Sequence, residues 1–118
     1  ITYNGKTMEF SLLCDSGNLL TEPLSGEPVI FLSESAFSKL CGSKTLAAVK
    51  SADASFMKSD TKNIRLVVYE TVGGSDMGVC IRPERITLGG KNVRAWITMG
   101  KSGAYGESEG LVPSSLIK

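Results

Sequence analysis

"LLCDSGN", residues 12–18, decides how this chain is read. Two leucines and a cysteine lead into Asp15, and Ser16, Gly17 and Asn18 follow at once. An apolar run that ends on a carboxylate and then meets turn-forming residues is a strand that delivers an acid to a sharp turn. The preceding residues support a strand. In "KTMEFSLLCD", residues 6–15, Met8, Phe10, Leu12 and Cys14 recur at period two and share one side. Asn4-Gly5 ahead of them is a tight hairpin turn.

Downstream, "TEPLSGEP" (21–28) holds two prolines and a glycine and reads as a loop, and "PVIFL" (28–32) reads as a short buried strand. The period then changes. Ser33 caps a helix whose apolar residues Phe37, Leu40 and Cys41 follow at helical spacing, and Gly42 stops it. Residues 43–63 are polar and alanine-rich. "TLAAVK" supplies a helical turn or two there, in a stretch expected to be mobile.

"IRLVVYE" (64–70) is a strand, "TVGGSDMG" (71–78) a glycine-rich turn and "VCIR" (79–82) the return, so 64–82 is a long hairpin. "ITL" (86–88), Gly89-Gly90 and "NVRAWITM" (92–99) make another. Residues 100–110 read as a flexible loop. "LVPSSLI" closes the chain, with Pro113 placed for the first turn of a short helix. Met8, Phe10, Leu12, Val29, Phe31, Leu66, Val68 and Ile97 are the expected core. Trp96, out of phase with Ile97, is expected to be partly exposed or at an interface. Many short strands and few helices give an all-β class with minor helix, a small β-barrel or paired sheets.

Composition removes most other chemistries. The chain has 118 residues, 42% of them apolar, which fits one globular domain, 1–118. Its formal charge is +1 and its basic residues are scattered, so no footprint for nucleic acid is present. Histidine is absent, which excludes Ser-His-Asp and Cys-His nucleophiles and His-based zinc sites. The three cysteines, Cys14, Cys41 and Cys80, are odd in number and dispersed. They read as buried small hydrophobes in a reducing compartment. No metal and no cofactor is called for. Residue 1 is Ile, so the chain reads as a fragment of a longer protein.

Asp-Ser-Gly is an ordinary turn sequence, but its place after an apolar strand gives it a second meaning. A water can be activated by two carboxylates that share one proton: one takes a proton from the water, the other polarises the scissile carbonyl. Ser16 can hydrogen-bond beside the carboxylate, and Gly17 lets the backbone turn beneath it. Such a triplet occurs once here, and Asp53, Asp60 and Asp76 do not follow apolar strands. The second carboxylate must come from another copy, which a two-fold homodimer supplies.

"LLCDSGNLLTEPLSGEPVIFLSESAF" resembles the active-site segment of the sporulation sigma-E factor-processing peptidase family: an apolar strand, Asp-Thr-Gly-Asn, a leucine-containing step, then Pro-Leu-x-Gly-x-Pro-Val. "IRLVVYETVGG" with "GVCIRPERITL" resembles the family's second conserved stretch, and "GLVPSSLI" its end. The resemblance implies an aspartic protease domain similar to retroviral proteases, a single-lobed β-barrel. It implies Asp15 as the catalytic residue, with Ser16 and Gly17 completing the triplet. Ser16 stands where most members have Thr and keeps the hydroxyl; Cys14 stands where an aliphatic residue is usual.

The resemblance further implies a membrane-anchored parent with the protease domain on the cytoplasmic side, this fragment itself being soluble. The partners it implies are a pro-sigma factor substrate, a second copy and a secreted or membrane activator protein. A hairpin closes over substrate in retroviral-type proteases. The candidate flap here is 64–82, with Gly73, Gly74 and Gly78, although 43–63 could cover the cleft instead. The rival reading is a catalytically silent β-barrel that binds a peptide by strand addition or assembles with a protein partner. Cys14 or Ser16 as a nucleophile lacks a histidine to activate it.

Overall fold

The computed structural model describes residues 1–15, 20–51, 53–59, 62–71, 74–100 and 108–117. The chain opens with a small hairpin, β1 (Thr2–Tyr3) and β2 (Lys6–Thr7), turned by Asn4 and Gly5. Both turn residues have positive φ, 52° and 81°, as a primed turn requires. Strand β3 (Leu12–Asp15) follows, then β4 (Val29–Leu32).

Helix α1 (Glu34–Cys41) starts where Ser33 Oγ accepts the Ala36 N–H at 3.2 Å, and it ends at Gly42, φ 88°. Two more helices, α2 (Ser43–Ser51) and α3 (Ala54–Ser59), fill most of the segment expected to be mobile. Their apolar stripes are thin, and packing on the sheet orders them: Val49 is buried in the core, with Leu46, Phe56 and Met57 against it.

Strands β5 (Ile64–Thr71) and β6 (Gly74–Ile81) form the long hairpin. Residues 74–78 are therefore strand and not turn, because the ladder continues to Thr71↔Gly74. A second tight hairpin joins β7 (Ile86–Leu88) to β8 (Lys91–Val93) through Gly89 and Gly90, φ 57° and 84°. The stretch 92–99 breaks at Arg94-Ala95, and β9 (Trp96–Met99) joins the main sheet. Residues 101–107, most of the expected flexible loop, lie outside the described residues. The chain closes with β10 (Gly110–Pro113) and a 3-10 turn, Ser114–Leu116, which Pro113 leads into from the strand.

The main sheet has the order β3-β10-β4-β9-β6-β5. The C-terminal strand β10 is wedged between β3, which it meets in parallel, and β4, which it meets antiparallel. The fold is predominantly β with a helical layer. The helices cover one face, where Ile30, Leu32, Ile81, Ile97 and Val112 pack with Phe37 and Leu40. Val29, Val67, Cys80 and Trp96, with Leu20 against them, form a second cluster.

Two burial expectations fail because exposure depends on a strand's place in the sheet as well as on phase. Trp96 is 1% exposed, because β9 is central and covered on both faces, so phase alone cannot expose a residue there. Leu66 is 45% exposed, since β5 is the sheet's outer strand and the helical cover stops short of it. Val29 and Ile97 are buried; Met8, Phe10, Leu12 and Phe31 are partly so. The Val68 side chain lies outside the description.

Candidate active site

Asp15 is the last residue of β3 and stands opposite Pro113 in the β3–β10 ladder, which runs Leu12↔Gly110, Leu13↔Leu111, Cys14↔Val112, Asp15↔Pro113. Ser16 and Gly17 lie outside the described residues. The register carries across the sheet. Leu13, Leu111, Phe31, Thr98, Cys80 and Arg65 stand in one row. Two residues along each strand toward Asp15 lie Pro113, Val29 and Trp96, and one step past Ile81↔Ile97 brings in Arg82. The Arg82 guanidinium sits 4.7 Å from the Trp96 ring centroid, in agreement with that register. Leu13 is 51% exposed, and Leu111 and Phe31 are half-buried, so an apolar row leads toward Asp15 without being fully covered.

The segment 20–28 is a closed strap at this same end of the sheet. Thr21 bridges Pro28, the Val29 N–H donates to Leu20 O (3.1 Å), and the Glu22 N–H donates to Glu27 O (2.9 Å). The strap folds around the Glu22 carboxylate, a residue only 1% exposed. Leu24 N–H donates to its Oε2 (3.0 Å) and Ser25 N–H to its Oε1 (2.8 Å). Burial pushes this carboxyl up. The two backbone donors, the Ser25 hydroxyl and the nearby Arg65 charge outweigh burial and hold it below its ordinary value.

Side chains from distant strands tie the strap down. Trp96 Nε1 donates to Ser25 Oγ (3.0 Å), and Glu27 pairs with Arg82 and, at 2.7 Å, with Arg94. Arg65 also lies over the Trp96 ring, 5.5 Å from its centroid. A cavity of about 370 Å³ opens between the strap and the turn after Pro113, lined by Leu20, Thr21, Gly26, Pro28, Ser114, Ser115 and Leu116.

The β5–β6 hairpin leaves the sheet as a ribbon. Among the described residues β6 pairs with β9 only at Cys80 and Ile81, so Gly74–Val79 have β5 alone as a ladder partner. Gly74 stands opposite Thr71 and Gly78 opposite Val67; Gly73 lies outside the described residues. The ribbon departs on the far side of the Leu13–Cys80 row from Asp15.

A family model described as Peptidase_U4, sporulation factor SpoIIGA, matches residues 1–99. The chain belongs to that family. Comparison with curated proteins and with solved structures gave no match. The SpoIIGA family match takes in Asp15, the strap and the hairpin, and stops short of β10, the strand that pairs with Asp15.

In this SpoIIGA-family chain the thiols divide. Burial pushes Cys41 and Cys80 up to about 12, which removes both as nucleophiles at neutral pH, whereas Cys14 is exposed, against the expectation that all three are buried. Among the described residues no acidic or thiol cluster suits a metal, and no helix is long and apolar enough to cross a membrane. The strap network of Glu22, Ser25, Glu27, Arg65, Arg82 and Trp96 was missed from sequence. Its one local signal was a glutamate beside Pro-Leu-Ser-Gly, a segment that reads only as a loop.

Proposed function

We propose that this chain is the aspartic endopeptidase domain of a longer membrane protein, a retropepsin-like lobe. Two copies each contribute Asp15 to one water-activating pair, and the substrate is the propeptide of a sporulation sigma factor. The observation that carries the reading is the position of Asp15. It ends a strand that is held by a parallel ladder and leads directly into Ser16-Gly17, in a chain of a sporulation peptidase family that has no histidine. A carboxylate pair needs neither histidine nor metal, because one ionised and one protonated carboxyl divide the base and acid roles.

Each chain has one such triplet, and β3 is an outer strand of the sheet, which favours a two-chain site. The half-covered row of Leu13, Leu111 and Phe31 is an apolar bed for an extended peptide beside the acid. The β5–β6 ribbon is the flap, with Gly73, Gly74 and Gly78 giving it the backbone freedom to curl over the cleft. Tethering in a membrane raises the effective concentration of the two copies, so the isolated domain associates weakly and has low or no activity. An activator protein, secreted or membrane-borne, acts on the parent from outside this domain.

The test uses the full-length protein and its pro-sigma substrate, with processed product as readout. Asp15→Asn abolishes processing while the protein accumulates normally, since an amide neither accepts the water proton nor shares one with its mate. Ser16→Ala is milder, because it removes an orienting hydrogen bond and leaves the base. Normal processing by Asp15→Asn overturns the proposal and leaves the strand-binding, non-catalytic reading.

A further inference from the structure

We propose that the second copy docks on the end of the sheet beside the Asp15 strand, with Leu24 of each copy seated in the other's cavity between the strap and the turn after Pro113; this rests on the two-chain reading above. The cavity is tied to the Asp15 strand by the register. Pro113 is the ladder partner of Asp15, and the cavity opens at the residues that follow it, Ser114, Ser115 and Leu116. Its other wall is the strap, through Thr21, Gly26 and Pro28. Among the described residues no strand of the main sheet lies beyond β3, so a second copy can approach from that side.

The surface around the cavity has the character of an interface centre. Charged residues make up 21% of the chain, yet none occurs in 23–26 or 113–117. Depletion of charge and exposed apolar anchors mark the middle of a protein–protein contact. Leu24 is 80% exposed and Ile117 56%. The backbone beneath Leu24 is fixed. Its N–H donates to Glu22 Oε2 (3.0 Å), Ser25 N–H to Glu22 Oε1 (2.8 Å) and Gly26 N–H to Glu22 O (2.8 Å). Trp96 Nε1 then bonds the strap to the sheet through Ser25 Oγ. An apolar side chain on a backbone held in this way gives up little freedom on binding.

Size argues for the second copy as occupant. Two carboxylates that share one proton lie about 3 Å apart, so the two-fold axis passes close to both acids. A stable interface covers about 800 Å² on each partner, a disc of roughly 16 Å radius. Asp15, Pro113, Val29 and Trp96 stand on successive strands of the sheet. At about 4.8 Å per strand, Pro113 lies about 5 Å and Trp96 about 14 Å from Asp15 along that row. A disc centred on the acids therefore takes in the turn after Pro113 and reaches the strap bonded to Trp96. A two-fold contact must be self-complementary, and each copy offers one knob, Leu24, and one hole.

The experiment uses full-length protein in lipid vesicles on a Cys14→Ser background, since Cys14 is the exposed thiol. One copy carries Leu24→Cys, and a differently tagged copy carries Ser115→Cys. Mild oxidation is expected to join the two tags by a disulfide. Lys91→Cys on β8, used in place of Leu24→Cys, is expected to give none. In a separate arm, Leu24→Asp is expected to lower pro-sigma processing at least about tenfold, the loss of one buried leucine contact. Raising the protein-to-lipid ratio is expected to restore the rate. Mass action compensates weaker association, but neither a folding defect nor a lost substrate contact.

No disulfide between the tags, or an equal yield from Lys91→Cys, overturns the proposal. So does wild-type processing by Leu24→Asp, or a loss that crowding the vesicles leaves in place. Asp15→Asn separates the two readings. If it processes substrate while the tags still join, the catalytic proposal falls and the interface stands. If it is inactive and the tags never join, the interface alone falls.

Discussion

Gly110 is the position where one methyl group reaches furthest. It begins β10, the strand wedged between the Asp15 strand and β4. A Cβ built there falls closer to the Phe31 carbonyl oxygen than the 3.0 Å floor of real Cβ contacts, with Leu12 Cδ2 at 3.0 Å and Leu32 Cα at 3.1 Å. The oxygen belongs to backbone and cannot rotate away, so β10 must part from β4 or from β3. The β10–β4 ladder consists of Gly110↔Leu32 and Leu111↔Phe31, and parting the strands weakens both. Neighbouring Glu109 is clamped on both sides, its N–H donating to Ser11 O and its carbonyl accepting Ser33 N–H, each at 2.7 Å.

Overpacking costs about 1–3 kcal/mol, and each weakened backbone bond about 1 kcal/mol, so Gly110→Ala is expected to lose about 3–5 kcal/mol. For a domain of this size that is a fall in Tm of roughly ten to twenty degrees. Urea unfolding of the purified chain, followed by the fluorescence of Trp96, measures it. Gly26→Ala is the control: its φ is +70° but nothing lies within 4 Å of the added Cβ, so it suffers only the left-handed backbone cost of about 1–2 kcal/mol. A Gly110→Ala midpoint equal to wild type, or a smaller loss than Gly26→Ala, would refute the close-approach reasoning.

Trp96, the sole tryptophan, is expected to emit in the blue and resist aqueous quenchers, and Trp96→Phe to cost about 1 kcal/mol or more by leaving Ser25 Oγ without the indole donor. Red-shifted, freely quenched emission would contradict the buried cluster. Thiol labelling of the native chain should modify Cys14 quickly and Cys41 and Cys80 only on unfolding; three fast thiols would contradict the fold. The Glu22 carboxyl is held below its ordinary 4.5, so its stabilisation is full above that value and is lost as pH falls through the lower folded value. Acid titration of urea stability should therefore decline from about pH 4.5 downward, and decline less steeply in Glu22→Gln; parallel curves would remove Glu22 as a contributor.

What the sequence determined by itself was local. Asn4-Gly5 and Gly89-Gly90 turn because few other pairs accept positive φ, and Ser33 and Gly42 bound a helix through bonds within a few residues. Of the strand expected over 6–15 only its two ends form, at 6–7 and at 12–15 where it delivers Asp15, and the hairpin expected over 64–82 forms at 64–81; alternation and turn chemistry act over neighbours. Tertiary structure decided the rest. That β10 lies between β3 and β4 depends on contacts across some hundred residues, which no local pattern encodes. The helices over 43–59 gain their order from the sheet beneath them and carry too thin an apolar stripe to announce themselves. Trp96 was misjudged because period two separates inside from outside only when one face meets water, and β9 has protein on both. Glu22 was invisible as a structural centre for a related reason. Its neighbours Leu24 and Ser25 are local, but Arg65, Arg82 and Trp96, which make that end of the sheet a place for a buried charge, arrive only when the chain has folded.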